Sequence, residues 1–185
     1  MDDFPIERRC APKVCPVGND WHMSLVHPQV SLRPYHESEF ARACAIREIT
    51  IPEKIERFRD RFMLSGQWFD HYLHLAIEAD GELVGDMQLR HCNFTMPDGA
   101  LEMGLELGHE FRGKGIGTGA LEAVAQYAFA QGHHRVEGST ANENIGMKRA
   151  FEKAGWKFEG ILHDLFVEDG KPADYYSYAI TKFDR

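Results

Sequence analysis

The chain has few cysteines, no long apolar run and no excess of positive charge. Its four cysteines form no C-x-x-C pair, which argues against a disulfide scaffold and favours a reducing cytoplasm as the location. The ten histidines are scattered, and the neighbouring pairs lack the further ligands that a metal site needs, so no metal is expected. The cysteines are Cys10, Cys15, Cys44 and Cys92.

Membrane and nucleic-acid partners are not expected either. No apolar segment reaches the roughly 18 residues that a membrane span needs. The start at Met1 does not have the basic and apolar regions of a signal peptide. The formal net charge of −8 repels a phosphate backbone on average. An acidic surface is compatible with cationic ligands.

Length and composition indicate one globular domain. The chain has 185 residues, of which 43% are apolar and 27% charged, ordinary values for a domain that buries its own core. Prolines interrupt the first 27 residues, which are typical of an extended segment without a core. We therefore predict an N-terminal arm over 1–27 and a single domain over 28–185.

Apolar periodicity and turn residues predict alternating strands and helices after the arm. Asp80-Gly81, between two alternating segments, is typical of a β-hairpin turn, and Pro52 is typical of a helix start. Ser38 is the expected N-cap of an earlier helix. The predicted order is a strand at 30–33, helices at 38–47 and 52–66, a hairpin at 72–89, a loop at 93–99, a strand from 101, a helix after 117, a strand at 135–139, a helix from 144 and a final hairpin turning at 169–170.

The segment 101–117, LEMGLELGHEFRGKGIG, carries the strongest functional signal. An apolar strand ends, Arg112 follows, and alternating glycines then lead into apolar residues at helical spacing. Glycine can turn with positive φ and approach a ligand closely, while the first N–H groups of a helix lack partners and favour negative charge. We predict a phosphate or pyrophosphate cradle with Arg112 and Lys114 as added positive charge. The glycines are Gly113, Gly115 and Gly117.

Three kinds of phosphate-binding loop compete for this spacing. From Gly108 the chain reads G-x-x-x-x-G-K-G, but a P-loop needs serine or threonine to hold Mg²⁺ where this chain has Gly115. Gly115, Gly117 and Ala120 fit the G-x-G-x-x-A dinucleotide fingerprint, and Glu137 stands near the expected ribose-binding acid. Little chain follows for the further βα units of such an NAD-binding protein. The third is the R-x-x-G-x-G/A loop that grips the pyrophosphate of coenzyme A.

Two motifs together resemble the GCN5-related N-acetyltransferase (GNAT) family, and within it the RimJ and RimL branch. The RGKGIG segment at 112–117 is similar to the pyrophosphate loop of that family. The segment ENIGMKRAFEKAGW at 143–156 is similar to its E-N-x-x-S-x-R-x-x-E-K-x-G-F block. With SLRP at 31–34 and FEGIL at 158–162, the resemblance runs over about 32–183, nearly the whole chain.

The resemblance implies an α/β fold with a mixed, mostly antiparallel central sheet, helices on both faces and a splay between the fourth and fifth strands. It implies acetyl-CoA as cosubstrate and a primary amine, of a protein N-terminus or a small molecule, as acceptor. Homodimers are frequent in this branch. The cofactor-binding residues that it implies are Leu105, Leu107, Arg112, Gly113, Lys114, Gly115, Ile116, Gly117, Asn144, Arg149 and Phe151.

A carboxylate is the expected general base, because amines are largely protonated at neutral pH. Glu102 stands where many relatives carry a carboxylate on this strand, and the period-two rule places Glu106 on the same strand face. Both are candidate catalytic residues; the alternative is that both are solvated or ion-paired. The candidate acceptor-binding residues are Trp68, Phe69 and Tyr72, which otherwise belong to the core.

The chain departs from the family pattern after Asn144. Met147 stands where RimL-like relatives carry serine, and Phe151 where the wider family often has tyrosine. Both side chains that usually protonate the leaving thiolate are therefore absent. Either the thiolate leaves without a side-chain acid, since a thiol leaves far more easily than an amine, or the protein is a catalytically silent acyl-CoA-binding sensor.

Overall fold

The computed structural model describes residues 29–91, 97–168 and 170–184. The arm predicted for 1–27 lies outside the described residues, as do most of the loop predicted at 93–99 and Asp169 of the final turn. Within the described ranges the chain forms one seven-stranded sheet that is flanked by helices.

Strands and helices follow one another in the predicted order. The strands are β1 Val30–Arg33, β2 Tyr72–Ala79, β3 Glu82–Arg90, β4 Ala100–Leu107, β5 Arg135–Ala141, β6 Lys157–Glu168 and β7 Lys171–Thr181. The helices are α1 Phe40–Ile46, α2 Pro52–Met63, α3 Ile116–Ala130 and α4 Ile145–Lys153. Short 3-10 turns at Glu37–Glu39 and His109–Phe111 precede α1 and follow β4.

The sheet has the order β1-β2-β3-β4-β5-β7-β6, and every neighbouring pair is antiparallel except β4 and β5. One parallel pair with one crossover helix is a single βαβ unit. The doubly wound parallel sheet that the dinucleotide interpretation requires is therefore absent from the described part of the chain. The mixed, mostly antiparallel sheet confirms the expected fold class.

β4 and β5 pair only at their beginnings. The register ends where Glu102 lies opposite Glu137, although β4 continues to Leu107 and β5 to Ala141. The strands therefore diverge, and among the described residues no strand pairs with the β5-facing edge of 103–107. Backbone groups along that edge that no side chain engages are available to a ligand. The expected splay between the fourth and fifth strands is confirmed.

Helices cover both faces of the sheet, and each face has its own apolar core. α3 and α4 pack on the face that carries Leu101, Met103 and Val136, where Leu121 and Val124 of α3 are fully buried. On the other face, α1 and α2 enclose a smaller core whose buried residues are Ala43, Ile46, Phe58, Phe62, Ala76 and Leu83. Because side chains alternate along a strand, β4 presents its apolar residues to α3 and its glutamates to the side of α1.

The two helix starts predicted from capping residues had different outcomes. Pro52 is the first residue of α2, as predicted. The predicted N-cap at Ser38 is wrong, because Ser38 lies inside the 3-10 turn and α1 begins at Phe40. The physical reason is Glu39, whose carboxylate accepts from the His36 N–H at 2.8 Å and closes the turn locally.

Candidate active site

The glycine loop joins the end of β4 to the start of α3. Gly113 and Gly115 have φ of 74° and 82°, the left-handed region that favours glycine, and Gly115 is the N-cap residue of α3. No described side chain caps this helix end, so its first N–H groups are open to a ligand. The preceding residues 112–114 are exposed. This geometry is that of an anion cradle.

Arg112 and Lys114 supply positive charge at the cradle. The Arg112 Nε donates to the carbonyl oxygen of Leu107 at 3.0 Å, which ties the loop to the last residue of β4. The Lys114 Nζ lies 5.7 Å from the centroid of the Phe111 ring. The Ile116 side chain is buried in the core, so this residue offers a ligand only its backbone. Two cations beside open helix N–H groups suit a pyrophosphate.

The gap between β4 and β5 leads from this cradle into the sheet. Its floor lies where Gly138 of β5 approaches the core. A Cβ at Gly138 would stand 2.7 Å from the sulfur of Met103, closer than real Cβ atoms come, and 3.3 Å from Cζ of Phe151, a tight contact. Gly138 therefore permits the close packing at the floor, and the sequence analysis did not single it out.

α4 carries the remaining predicted cofactor residues. The Oδ1 of Asn144 accepts from the backbone N–H of Met147 at 3.1 Å, so this side chain caps α4. Arg149 is exposed. Phe151 is 0% exposed, and its ring stacks on Tyr178 with centroids 4.7 Å apart. The structure thus gives Asn144 and Phe151 roles in capping and packing, and their contact with a cofactor stays a prediction.

The two candidate glutamates project from the same face of β4. Glu102 lies opposite Arg90 in the register with β3, and Glu106 lies opposite Asp86. Glu102 occupies the last paired position before the gap, and its Oε1 is 2.9 Å from Nη2 of Arg90. The same guanidinium lies across Gly104, 3.6 Å from where a Cβ would stand. Glu102 is therefore engaged in an ion pair at the start of the gap.

Glu106 lies further along the gap and is half-buried. Burial raises the pKa of the Glu106 carboxyl above its ordinary value, because water no longer stabilises the charged form. Arg47 and Arg112 lower this pKa in part, whereas the negative charges of Asp86 and Glu48 raise it further. A carboxylate with a raised pKa is a stronger proton acceptor near neutral pH.

The predicted acceptor aromatics lie toward the surface and not in the core. Trp68 is 44% and Phe69 is 52% exposed, and Tyr72 is half-buried. Tyr72, Arg90 and Glu102 stand in register on three adjacent strands, so the backbone of Tyr72 is about 10 Å from that of Glu102. Trp68 lies outside a shallow depression that is lined by Arg57, Asp60, Arg61, Phe69, Asp70 and Tyr72.

A buried polar cluster beneath α1 was missed by the sequence analysis. Asp86 is 0% exposed; its carboxylate accepts from the Tyr35 hydroxyl at 2.7 Å, from Nε2 of Gln88 at 3.1 Å and from Nη1 of Arg47. Nδ1 of His74 lies 3.6 Å from Oδ1 of Asp86. In the sequence, Asp86 and Gln88 alternate with apolar residues, which is typical of a solvent-facing side of a strand. Only the position of α1 reveals that this side is covered.

Among residues 29–91, 97–168 and 170–184, no three His, Cys, Asp or Glu side chains are grouped so as to hold a metal ion. In the same part of the chain, no helix combines the length and the apolar character needed to cross a membrane.

Comparison with known proteins places this geometry in a family. The sequence model of the acetyltransferase (GNAT) domain matches residues 29–157. A probable N-acetyltransferase of Bacillus subtilis, YjcK, is 32% identical over 119 residues, which cover 62% of this chain and 64% of that protein. An uncharacterised N-acetyltransferase of Bacillus licheniformis, p20, is 28% identical over 58% of this chain and 60% of that protein. The alignments thus span less than two thirds of these relatives.

Solved structures share the fold. A chimera based on the spermidine N-acetyltransferase SpeG of Vibrio cholerae superposes with a TM-score of 0.69 at 18% identity, covering 84% of this chain and 96% of that one. RimJ of Mycobacterium smegmatis, in complex with CoA-disulfide, superposes with a TM-score of 0.67 at 23% identity. The match covers 84% of this chain and 83% of that one. At these identities the likeness concerns the fold.

Proposed function

The chain belongs to the GNAT acetyltransferase family, and from that premise we propose that it is an acetyl-CoA-dependent N-acetyltransferase with a primary amine as acceptor. One observation carries the proposal. β4 and β5 separate after Glu102, and the uncapped glycine start of α3 follows the end of β4. A thioester arm in the gap and a pyrophosphate at the helix would each meet backbone groups that the fold leaves unpaired.

The cofactor side of the site consists mainly of backbone. The N–H groups of 113–117 would hold the pyrophosphate, with Arg112 and Lys114 as counter-charges. The edge at Leu105 and Leu107, which β5 does not pair, would hold the pantetheine arm beside the Leu107 carbonyl oxygen that accepts from Arg112. One N–H of that edge would support the oxygen of the thioester carbonyl as negative charge develops there, a preorganised donor of the kind that often dominates catalysis.

Glu106 is the proposed general base, with Glu102 as the second candidate. The raised pKa of Glu106 favours this role, because a carboxylate whose pKa is not raised takes a proton from an ammonium group less readily. Glu102 is less well suited to act as the base, because its carboxylate is already paired with Arg90. Glu106, directly or through a water molecule, takes one proton from the ammonium group of the acceptor.

The neutral amine nitrogen then attacks the carbonyl carbon of the thioester. The carbon–nitrogen bond forms, the carbon–sulfur bond breaks, and coenzyme A leaves as the thiolate. The nitrogen loses its second proton to water, and the thiolate takes a proton from water, so these two transfers cancel. Glu106 then releases its proton to solvent, which is the one proton that the reaction sets free. Met147 and Phe151 have no acidic group at the positions where relatives carry one. Most of the rate is then expected from holding the amine and thioester together.

The acceptor is proposed to approach from the α1 side of β4, where both glutamates project. Negative charge on this side suits a cationic amine. Trp68, Phe69 and Tyr72 are proposed to contact the rest of the acceptor, which is either a protein N-terminus or a small amine. The exposure of Trp68 and Phe69 supports this assignment, because exposed aromatic rings can cover an apolar or cationic ligand.

A ligand screen by thermal unfolding tests the cofactor class. Acetyl-CoA and free CoA are expected to stabilise the protein by about 2.7 kcal/mol at a hundredfold excess over Kd, which is roughly 5–10 °C in Tm for a chain of this size. NAD(P) and Mg–ATP are expected to have no such effect. Stabilisation by NADH with none by CoA would overturn the acetyltransferase assignment and revive the dinucleotide one.

A further inference from the structure

Asp86 and Glu106 form an unfavourable pair in this sheet. They lie directly opposite each other on β3 and β4 and project from the same face. Side chains opposed in this way interact, and like charges so placed are destabilising. Such an arrangement calls for a compensating charge nearby.

Asp86 is held in its charged form. Burial opposes its ionisation, but the nearby His74 ring, the Arg47 charge and the Tyr35 hydroxyl outweigh that effect and keep the pKa of Asp86 below its ordinary value. The result is a fully buried anion beside Glu106.

Arg47 is the compensating charge. It follows the last residue of α1, its Nη1 donates to Asp86, and its guanidinium carbon lies 5.2 Å from the centroid of the Phe58 ring. Arg47 also acts on Glu106, with the opposite sign to Asp86. A buried ion pair is seldom a net source of stability, because desolvation of both charges offsets their attraction. Stability therefore does not explain why the Asp86–Arg47 pair lies next to Glu106, the candidate base.

We infer that Asp86 and Arg47 are positioning residues that set the charge around Glu106, Asp86 favouring its protonated form and Arg47 its ionised form. This inference rests on the proposed role of Glu106 as the general base. The other charged groups that act on Glu106 are Glu48, which follows α1 and contacts Nε2 of His109 at 2.8 Å, and Arg112 of the glycine loop. Both lie nearer solvent than Asp86. His74 and Tyr35 act through Asp86.

The test is a pair of charge-removing substitutions with opposite expected signs. Asp86→Asn removes a negative neighbour and is expected to lower the pH at which Glu106 loses its proton by about one unit. Arg47→Gln removes a positive neighbour and is expected to raise that pH by a similar amount, because Tyr35, Gln88 and His74 still hold Asp86 as the anion. If the substitutions merely loosened the packing, water would reach Glu106, and the pH at which Glu106 loses its proton would fall in both variants.

The measurement is a carbon-13 NMR titration of the Glu106 side-chain carboxyl, which is assigned by its loss in Glu106→Gln. Arg33→Gln is the matched control, because it breaks two half-buried ion pairs, with Glu39 and with Glu78, on another part of the sheet. That control is expected to leave the Glu106 titration unchanged. Shifts of the same sign in the two test variants, or no shift in either, would overturn the inference. If Asp86→Asn does not fold, the sign of the Arg47→Gln shift alone decides.

The pH dependence of kcat/KM in the same variants separates this inference from the proposed function. Its ascending limb is expected to move with the NMR titration, down in Asp86→Asn and up in Arg47→Gln. If the carboxyl titration moves as expected but the rate profiles of the variants overlay that of the parent, Asp86 and Arg47 do set the charge at Glu106. In that case it is the role of Glu106 as the base that fails.

Discussion

Replacing Gly115 with leucine is expected to weaken CoA binding about 100-fold, which corresponds to the loss of one or two charge-assisted hydrogen bonds at roughly 1.5–3 kcal/mol each. Gly115 is the N-cap of α3 with φ of 82°. A side chain there would stand where we propose that the pyrophosphate approaches the helix N–H groups, and it would also strain the turn that aims them. Isothermal titration with CoA measures the change.

The strain itself needs a control, because leucine is unfavourable wherever φ is positive. Gly132 follows the other end of the same helix, has φ of 94° and has open space around the position of a Cβ. Gly132→Leu is expected to destabilise the fold to a comparable degree and to leave CoA affinity unchanged. Arg112→Ala is expected to weaken CoA binding more mildly, and more at low salt, since one exposed charge is lost. Unchanged CoA affinity in Gly115→Leu would show that the cradle lies elsewhere.

Glu106→Gln is expected to lower kcat/KM by roughly 10- to 10³-fold at neutral pH, the range of general-base catalysis. The side chain keeps its shape but can no longer accept a proton. Because burial raises the pKa of Glu106, the ascending limb of the parent profile is expected above the ordinary glutamate range. The defect is expected to shrink at high pH, where the amine deprotonates without help. The pH profile of kcat/KM measures both effects.

Glu102→Gln is the matched comparison, since Glu102 projects from the same face of the same strand. It breaks the ion pair with Arg90 and is expected to lower kcat/KM less than Glu106→Gln does. A larger and pH-dependent loss in Glu102→Gln would move the role of base to that residue. A Glu106→Gln enzyme within about twofold of the parent at every pH would exclude Glu106 from general-base catalysis.

Elements with a local signal were predictable from the sequence. Pro52 begins α2 because its fixed φ and missing N–H suit a first helical residue. Asp80-Gly81 joins β2 to β3 because both residues adopt positive φ. Gly115 starts α3 for the same conformational reason. The divergence of β4 from β5 has no local signal, because strand periodicity does not encode which neighbour a strand pairs with. The expectation of this divergence came only from the family resemblance.

The surroundings of the candidate base depend on tertiary structure. Asp86 alternates with apolar residues as a solvent-facing residue would, and its burial becomes apparent only when α1 covers that face. Glu102 and Glu106 are indistinguishable by spacing, yet one forms an ion pair and the other has a raised pKa. Ser38 looked like a helix cap, but Glu39 caps the turn instead. Each of these differences arises from a neighbour that is distant in sequence or competes locally.

The most direct test of the account is acetyl transfer itself. The purified chain is incubated with acetyl-CoA and a panel of amines that includes peptides with free N-termini and small primary amines, and product is detected by mass together with release of the free thiol. We expect amine-dependent release of CoA and an acetylated amine, with the rate in Gly115→Leu lower by about tenfold or more. Tight binding of acetyl-CoA without acetylation of any amine, in the parent and in Phe151→Tyr alike, would contradict it and identify the protein as an acyl-CoA-binding sensor.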